Sequence, residues 1–203
     1  MSRRALACGL LALALAASGC AAWKRFAYSG LDRDEWQQPE RVVAALELRP
    51  GARVADVGAG GGYFTFRLAD AVGPTGLVYA VDVDPDMLDY LRERAADEKR
   101  ANVRVVEAAY DDPKLPDGGV DLVLVVNTYH HIENRVDYFA RVKRALAPGG
   151  RLAIVELSED GFVGGHFTPP ATVEKELAEA GYALAAKHAF LARQSFLIFT
   201  PSR

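Results

Sequence analysis

The sequence predicts an α/β fold in one domain, built as a Rossmann-like, doubly wound and largely parallel sheet. Three observations predict it. Strand-like and helix-like segments alternate from Pro39 onward, a glycine-rich turn joins the first strand to the helix after it, and residues 122–126 form an unbroken apolar run of the kind found in strands buried on both faces.

Taken in order, Pro39 opens a helix at a position where its missing N–H costs nothing, and Val42, Val43, Leu46 and Leu48 supply its apolar side. Strands are expected at 53–57, 77–81, 103–106, 122–126 and 152–156, and helices at 62–71, 85–97 and 133–146. The last of these helices carries Val136, Phe139, Val142 and Leu146 at helical spacing, and Pro148-Gly149-Gly150 ends it. After a turn-rich stretch comes a helix near 172–180, then two strands, 182–190 and 195–200. A short turn near Ala192-Arg193-Gln194 lets those two strands pair antiparallel, so the sheet is expected to end in a hairpin.

A chain of 203 residues suits one domain, and half of its residues are apolar, a quarter charged and 9% aromatic, which is globular composition. The net charge is -3, and without Arg3 and Arg4 the remaining 22 basic residues face 27 acidic ones. Nucleic acid is therefore not expected as a partner, because phosphate contacts need clustered Lys and Arg.

Residues 1–20 have the order of an export signal: Arg3 and Arg4, an apolar run from Ala5 to Ala17, then small residues. The run is short for a membrane span, which needs about 20 apolar residues. Ala17-Ser18-Gly19-Cys20 resembles a bacterial lipobox with Ala17 where leucine is preferred. That implies lipidation at Cys20, a membrane anchor, and a location on the periplasmic or outer face. Ordinary signal-peptidase cleavage and an uncleaved anchor stand beside that reading. The only other cysteine is Cys8, inside the signal, so the rest of the chain has no thiol for a disulfide, a metal or catalysis. Residues 21–37 mix Trp23, Phe26, Tyr28 and Trp36 with charges in no clear period and are expected to form a tether or lid ahead of a domain at 38–203.

Gly58-Ala59-Gly60-Gly61-Gly62 directly follows strand 1, where glycines let the backbone reach positive φ and let a ligand approach the main chain. The spacing G-x-G-x-G places Tyr63 where a dinucleotide fingerprint requires glycine, which disfavours NAD and with it an NAD-dependent oxidoreductase. Asp82 ends strand 2, 24 residues after Gly58, a suitable place for a carboxylate that accepts ribose hydroxyls. A solvated turn residue at Asp82 and a helix-end partner at Asp56 are the competing structural roles.

Residues 54–64, 78–88, 120–127 and 146–152, in that order, resemble class I S-adenosylmethionine-dependent methyltransferases over about residues 38–203. The resemblance implies S-adenosylmethionine as cofactor and the sheet order 3-2-1-4-5-7-6 with strand 7 antiparallel. It also implies cofactor-binding roles for named residues. Asp56 would position the methionine amino group, while Gly58, Ala59, Gly60 and Gly62 would line methionine and ribose. Asp82 and Val83 would lie at the ribose, Met87 at adenine, and Asn127 beside the methionine end. Many relatives place an aspartate after strand 3 for the adenine amino group; here that position is Ala109, so Tyr110, Asp111, Asp112 or main-chain groups would have to substitute.

Methyl transfer is an in-line displacement, for which the protein aligns a nucleophile and, where needed, takes its proton. Tyr129-His130-His131 follows strand 4 on the cofactor side, and an imidazole titrates in the right range for a general base. A cap for the next helix and plain packing are the alternative roles for these residues. No metal is expected, since His130, His131, His166 and His188 show no ligand spacing. Residues 164–170 are a candidate flap over the acceptor. The expected function is methyl transfer to a small-molecule acceptor. The alternative, suggested by Ala109 and by export away from the cytosolic cofactor pool, is a membrane-tethered binding module without turnover.

Overall fold

The computed structural model describes residues 33–158 and 167–202. All of them fall in the compact unit Asp32–Arg203. The export signal, Cys20, most of the tether and residues 159–166, which include His166 and the first part of the candidate flap, lie outside the described residues.

Two short helices lead in, α1 (Arg33–Gln37) and α2 (Pro39–Ala45), followed by β1 (Arg53–Val57), α3 (Thr65–Val72), β2 (Leu77–Asp82), α4 (Pro85–Asp97) and β3 (Val103–Glu107). Then come β4 (Val120–Val126), a single 3-10 turn at Tyr129–His131, α5 (Arg135–Ala145), β5 (Leu146–Leu157), α6 (Pro170–Glu179), β6 (Tyr182–His188) and β7 (Gln194–Pro201). The seven strands form one sheet in the order β3-β2-β1-β4-β5-β7-β6. β7 runs antiparallel to both β5 and β6, and every other pairing is parallel. Fold class, strand order and terminal hairpin all agree with the sequence reading.

Strand periodicity divides the core between the two faces of the sheet. Val54, Val78, Leu122, Leu124, Val155 and Ile198 pack with Val42 and Leu46 from α2 and with Leu68 and Val72 from α3. Their neighbours Ala55, Val57, Val81, Val123, Val125 and Leu197 pack with Phe139 and Val142 from α5 and with Val173 and Leu177 from α6. In β4 all but Asp121 are buried, and the Asp121 carboxylate accepts the Arg53 N–H at 2.7 Å, tying the start of β1 to its neighbour.

Boundaries differ from expectation where backbone angles decide. α3 begins at Thr65 rather than 62, because Gly58, Gly60 and Gly62 have φ of 76°, 51° and 80°, outside the helical region. α5 begins at Arg135 rather than 133, since Asn134 is left-handed at φ 47°. β5 reaches back to Leu146 through an irregularity opposite Val120 and Leu122, so Pro148-Gly149-Gly150 ends the helix inside a bulged strand. Residues 33–37, assigned from sequence to a tether, form α1 and belong to the domain's compact unit.

Candidate active site

The carboxyl ends of parallel strands converge on one edge of the sheet, which is where doubly wound folds take their ligands. β1 delivers Asp56 there, 3% exposed. One of its oxygens, Oδ2, accepts the Thr65 hydroxyl at 2.6 Å. Burial, with nearby Asp82 adding to it, raises the Asp56 carboxyl to about 6 against the Thr65 bond and the neighbouring Arg33 guanidinium, which favour the ionised form.

The turn after β1 is built for close approach. A Cβ on Gly58 would sit 2.1 Å from Thr128 Oγ1, and one on Gly62 would sit 2.5 Å from the Phe66 ring. The first contact fixes the glycine turn against the segment after β4, whose Thr128 hydroxyl is turned to the Val126 carbonyl at 3.0 Å. Ala59, between the glycines, donates its N–H to the Val81 carbonyl at 3.0 Å.

Asp82 closes β2 and braces the turn. Its Oδ2 accepts Gly60 N–H at 2.7 Å, while Oδ1 accepts Val83 N–H at 2.8 Å and Asp84 N–H at 2.9 Å. A carboxylate offers about four acceptor positions, so these three bonds leave Oδ2 with the spare one. Asp82 thus keeps acceptor capacity beside the glycine turn. Beyond it Val83 is exposed, 37%. Met87, expected at adenine, is fully buried in the core and presents no open face.

After β3, Ala109 and Asp112 exchange main-chain hydrogen bonds of 2.9 and 3.1 Å, so those main-chain groups are already used. Asp111 is paired with Arg141 at 2.8 Å, which holds its carboxyl below the usual range. Asp112 Oδ1 accepts Lys114 N–H at 2.8 Å. Tyr110, the remaining side chain of that group, is 82% exposed.

Directly after β4, Asn127 is left-handed at φ 50°, and its Oδ1 accepts Gln194 Nε2 from the start of β7 at 2.8 Å. His130 Nδ1 lies 2.8 Å from Glu156 Oε1. Glu156 is fully buried in β5 and also accepts the main-chain N–H groups of Leu157 at 2.9 Å and His130 at 3.3 Å. Burial raises its carboxyl, and the adjacent imidazole opposes that rise. With Nδ1–H donated to Glu156, the basic lone pair belongs to Nε2. His131 is exposed, and its ring centroid lies 4.0 Å from that of His130.

Tyr129 is corrected by its environment. It is fully buried, stacked on Phe139 at 5.1 Å, and its hydroxyl donates to Glu176 Oε2 at 2.7 Å. Glu176 in turn holds Arg135 through bonds of 2.7 and 2.8 Å. Tyr129 is thus a link between α5, α6 and the sheet, with no face for an acceptor. Among the described residues, no group of three His, Cys, Asp or Glu side chains is placed to hold a metal. Likewise, none of the described helices is long and apolar enough to cross a membrane. Sequence reasoning missed Glu156, Thr65, Thr128 and Gln194. Only Glu156 left a trace, as a carboxylate ending a run of apolar strand residues.

Comparison with known proteins agrees with this geometry. Residues 54–150 match the family model for a methyltransferase domain. The chain is 36% identical over 140 residues to the ubiquinone/menaquinone biosynthesis C-methyltransferase UbiE of Ectopseudomonas mendocina, covering 68% of this chain and 49% of that one. It is 34% identical over 120 residues to UbiE of Burkholderia mallei, covering 58% and 48%. The chain spans about half the length of these curated relatives. Among solved structures, a SAM-dependent methyltransferase from Aquifex aeolicus superposes with a TM-score of 0.78 at 26% identity, covering 84% of this chain and 93% of that one. The trans-methyltransferase CalH, in complex with SAH, superposes with a TM-score of 0.65 at 23% identity, covering 81% and 55%, a likeness of fold.

The class is then defined: this chain carries a class I S-adenosylmethionine-dependent methyltransferase domain, and S-adenosylmethionine is its cofactor. The residues present fit that molecule. The buried anion of Asp56 suits an ammonium, the spare position on Asp82 suits a hydroxyl, and the glycine turn gives main-chain access beside both.

Proposed function

We propose that the chain catalyses methyl transfer from S-adenosylmethionine to a small-molecule acceptor that loses a proton as it is methylated. The observation that carries this is the His130–Glu156 pair at 2.8 Å, with His130 four residues past the end of β4 on the edge where the cofactor seat lies. When bound, the cofactor supplies an electrophilic methyl group on a positively charged sulfur. Asp56, Asp82 and the glycine turn would hold its amino-acid and ribose parts. Asn127, oriented by Gln194, lies between that seat and His130 in sequence and closes the strand that carries both.

Glu156 holds the His130 ring by Nδ1 and stabilises the imidazolium formed when Nε2 takes a proton. A hydroxyl, amine or acidic C–H acceptor fits such a base. His131, beside His130, is a second acceptor-side residue. The UbiE relatives are named as C-methyltransferases of quinone biosynthesis, which makes an activated ring carbon a natural first acceptor to try.

The test measures conversion of S-adenosylmethionine to S-adenosylhomocysteine against a panel of phenols, quinols and amines. His130→Ala should abolish transfer to the best acceptor without loss of cofactor binding. Unchanged turnover in that variant removes His130 from the mechanism. Tight cofactor binding with no transfer to any acceptor would favour the binding-module reading. We further propose export and lipidation at Cys20, on the strength of residues 1–20. Mass spectrometry of the mature N-terminus tests it, and an intact Met1 overturns it.

A further inference from the structure

Two segments of chain are pinned to the end of β5 from either side. On one side Asn127 donates its N–H to the Val155 carbonyl at 2.8 Å. On the other, Gln194 pairs in register with Leu157, and Ser158 N–H reaches the Arg193 carbonyl at 3.0 Å. The two side chains meet across that strand end, Gln194 Nε2 donating to Asn127 Oδ1 at 2.8 Å. A carboxamide is planar, so holding Asn127 by its oxygen fixes its nitrogen as well. Asn127 is half-buried, and the bond to Gln194 is the one its side chain makes among the described residues, which leaves Nδ2 as a held donor.

Gln194 itself is poorly served by this arrangement. It is 4% exposed, and its Oε1 is buried without a hydrogen-bond partner. An unpaired buried carbonyl oxygen destabilises a fold. An apolar side chain of similar length would avoid that cost, so packing alone gives no reason for an amide at position 194. What the amide does is donate to Asn127.

The register brings this pair to the proposed base. Ser195, next to Gln194, lies opposite Glu156, and Asn127 precedes His130 by three residues. The held donor and the base thus issue from the same strand ends. Taking a proton from a phenol or an enol leaves negative charge on oxygen, which a fixed amide N–H favours. We propose that Gln194 is a positioning residue: by occupying Asn127 Oδ1 it leaves Nδ2 to donate to an oxygen of the methyl acceptor, so the chain prefers a phenol or enol to an amine. This rests on the methyl-transfer reading above and names the acceptor class for it.

The full-length chain tests it through two variants. The native protein should methylate the best phenol or quinol of the panel faster than the best amine. Gln194→Met should lower kcat/KM for that phenol or quinol by about 10- to 100-fold, the usual worth of a hydrogen bond to a charged group, and should change the amine far less. Calorimetry should show its S-adenosylhomocysteine affinity unchanged, and urea unfolding a midpoint no lower than the native one. Gln194→Glu, which can only accept, turns the Asn127 amide round and should lose as much kcat/KM. A lowered midpoint for Gln194→Met, equal losses for phenol and amine, or unchanged kcat/KM leaves Gln194 a structural residue and overturns the inference. Weakened S-adenosylhomocysteine binding in Gln194→Met also overturns it, by putting Asn127 on the cofactor instead of the acceptor. So does cofactor binding by the native chain with no transfer to any phenol or quinol. A native chain that binds no S-adenosylhomocysteine defeats the cofactor reading first, and this inference with it.

Discussion

Asp56 gives the domain a pH dependence that can be worked out in advance. Its carboxyl is raised from an ordinary 3.8 to about 6 in the folded state. Between those values the folded chain binds a proton that the unfolded chain has released. Stability is therefore fully present below pH 4 and falls as pH rises toward 6, the sign expected for a raised acid. A shift of about two units corresponds to about 3 kcal/mol. Asn at the same position keeps the shape and the bond to Thr65 but cannot ionise. Urea unfolding from pH 4 to pH 7 should show the stability of Asp56→Asn rising relative to the native chain by about 3 kcal/mol across that range. Saturating S-adenosylhomocysteine should flatten the native profile, because an ammonium beside Asp56 favours its ionised form. Parallel profiles for the two proteins would refute the reasoning, since they would mean that Asp56 ionises in the fold as readily as in water.

Three further outcomes are expected. Glu156→Gln should leave cofactor binding intact but lower kcat by about 10- to 100-fold, as loss of a partner that orients a histidine usually does; kinetics together with calorimetry separate the two effects. Tyr129→Phe should lower unfolding free energy by about 1 kcal/mol through loss of the Glu176 bond, with turnover per folded molecule unchanged in a standard assay. Gly58→Ala should destabilise the domain by at least ~2 kcal/mol and weaken S-adenosylhomocysteine, because its Cβ would collide with Thr128 while φ stays at 76°; Thr128→Gly in the same chain, which removes the collision, should restore binding only in part, since the φ strain remains.

The sheet was legible because its signals are local and strong. Period-2 and continuous apolar runs mark 53–57 and 122–126 as strands, and the short turn near Arg193 requires the last two strands to pair antiparallel. The glycine turn and Asp82 were legible from spacing. What the carboxylate does with its lone pairs was not, because two of its three donors come from the residues after it and one from Gly60, a geometry set only when β1 and β2 align. The burial of Met87 was not legible, because helical spacing shows which face of α4 is apolar but not what covers it. The bond of Tyr129 to Glu176 was hidden for a related reason: the partner is 47 residues away, on a helix that meets it only in the folded chain. Glu156 escaped notice because a charge in a strand reads as solvated until burial is known.

The contact between the Gly58 turn and Thr128 has an evolutionary corollary. Two residues beyond Thr128 sits His130, so the contact with the glycine turn and the proposed base share one short stretch of chain. Bulk added at position 128 would press on the methionine-binding main chain before it altered any acceptor. New acceptor preferences are therefore cheaper to acquire at His131, which is already exposed.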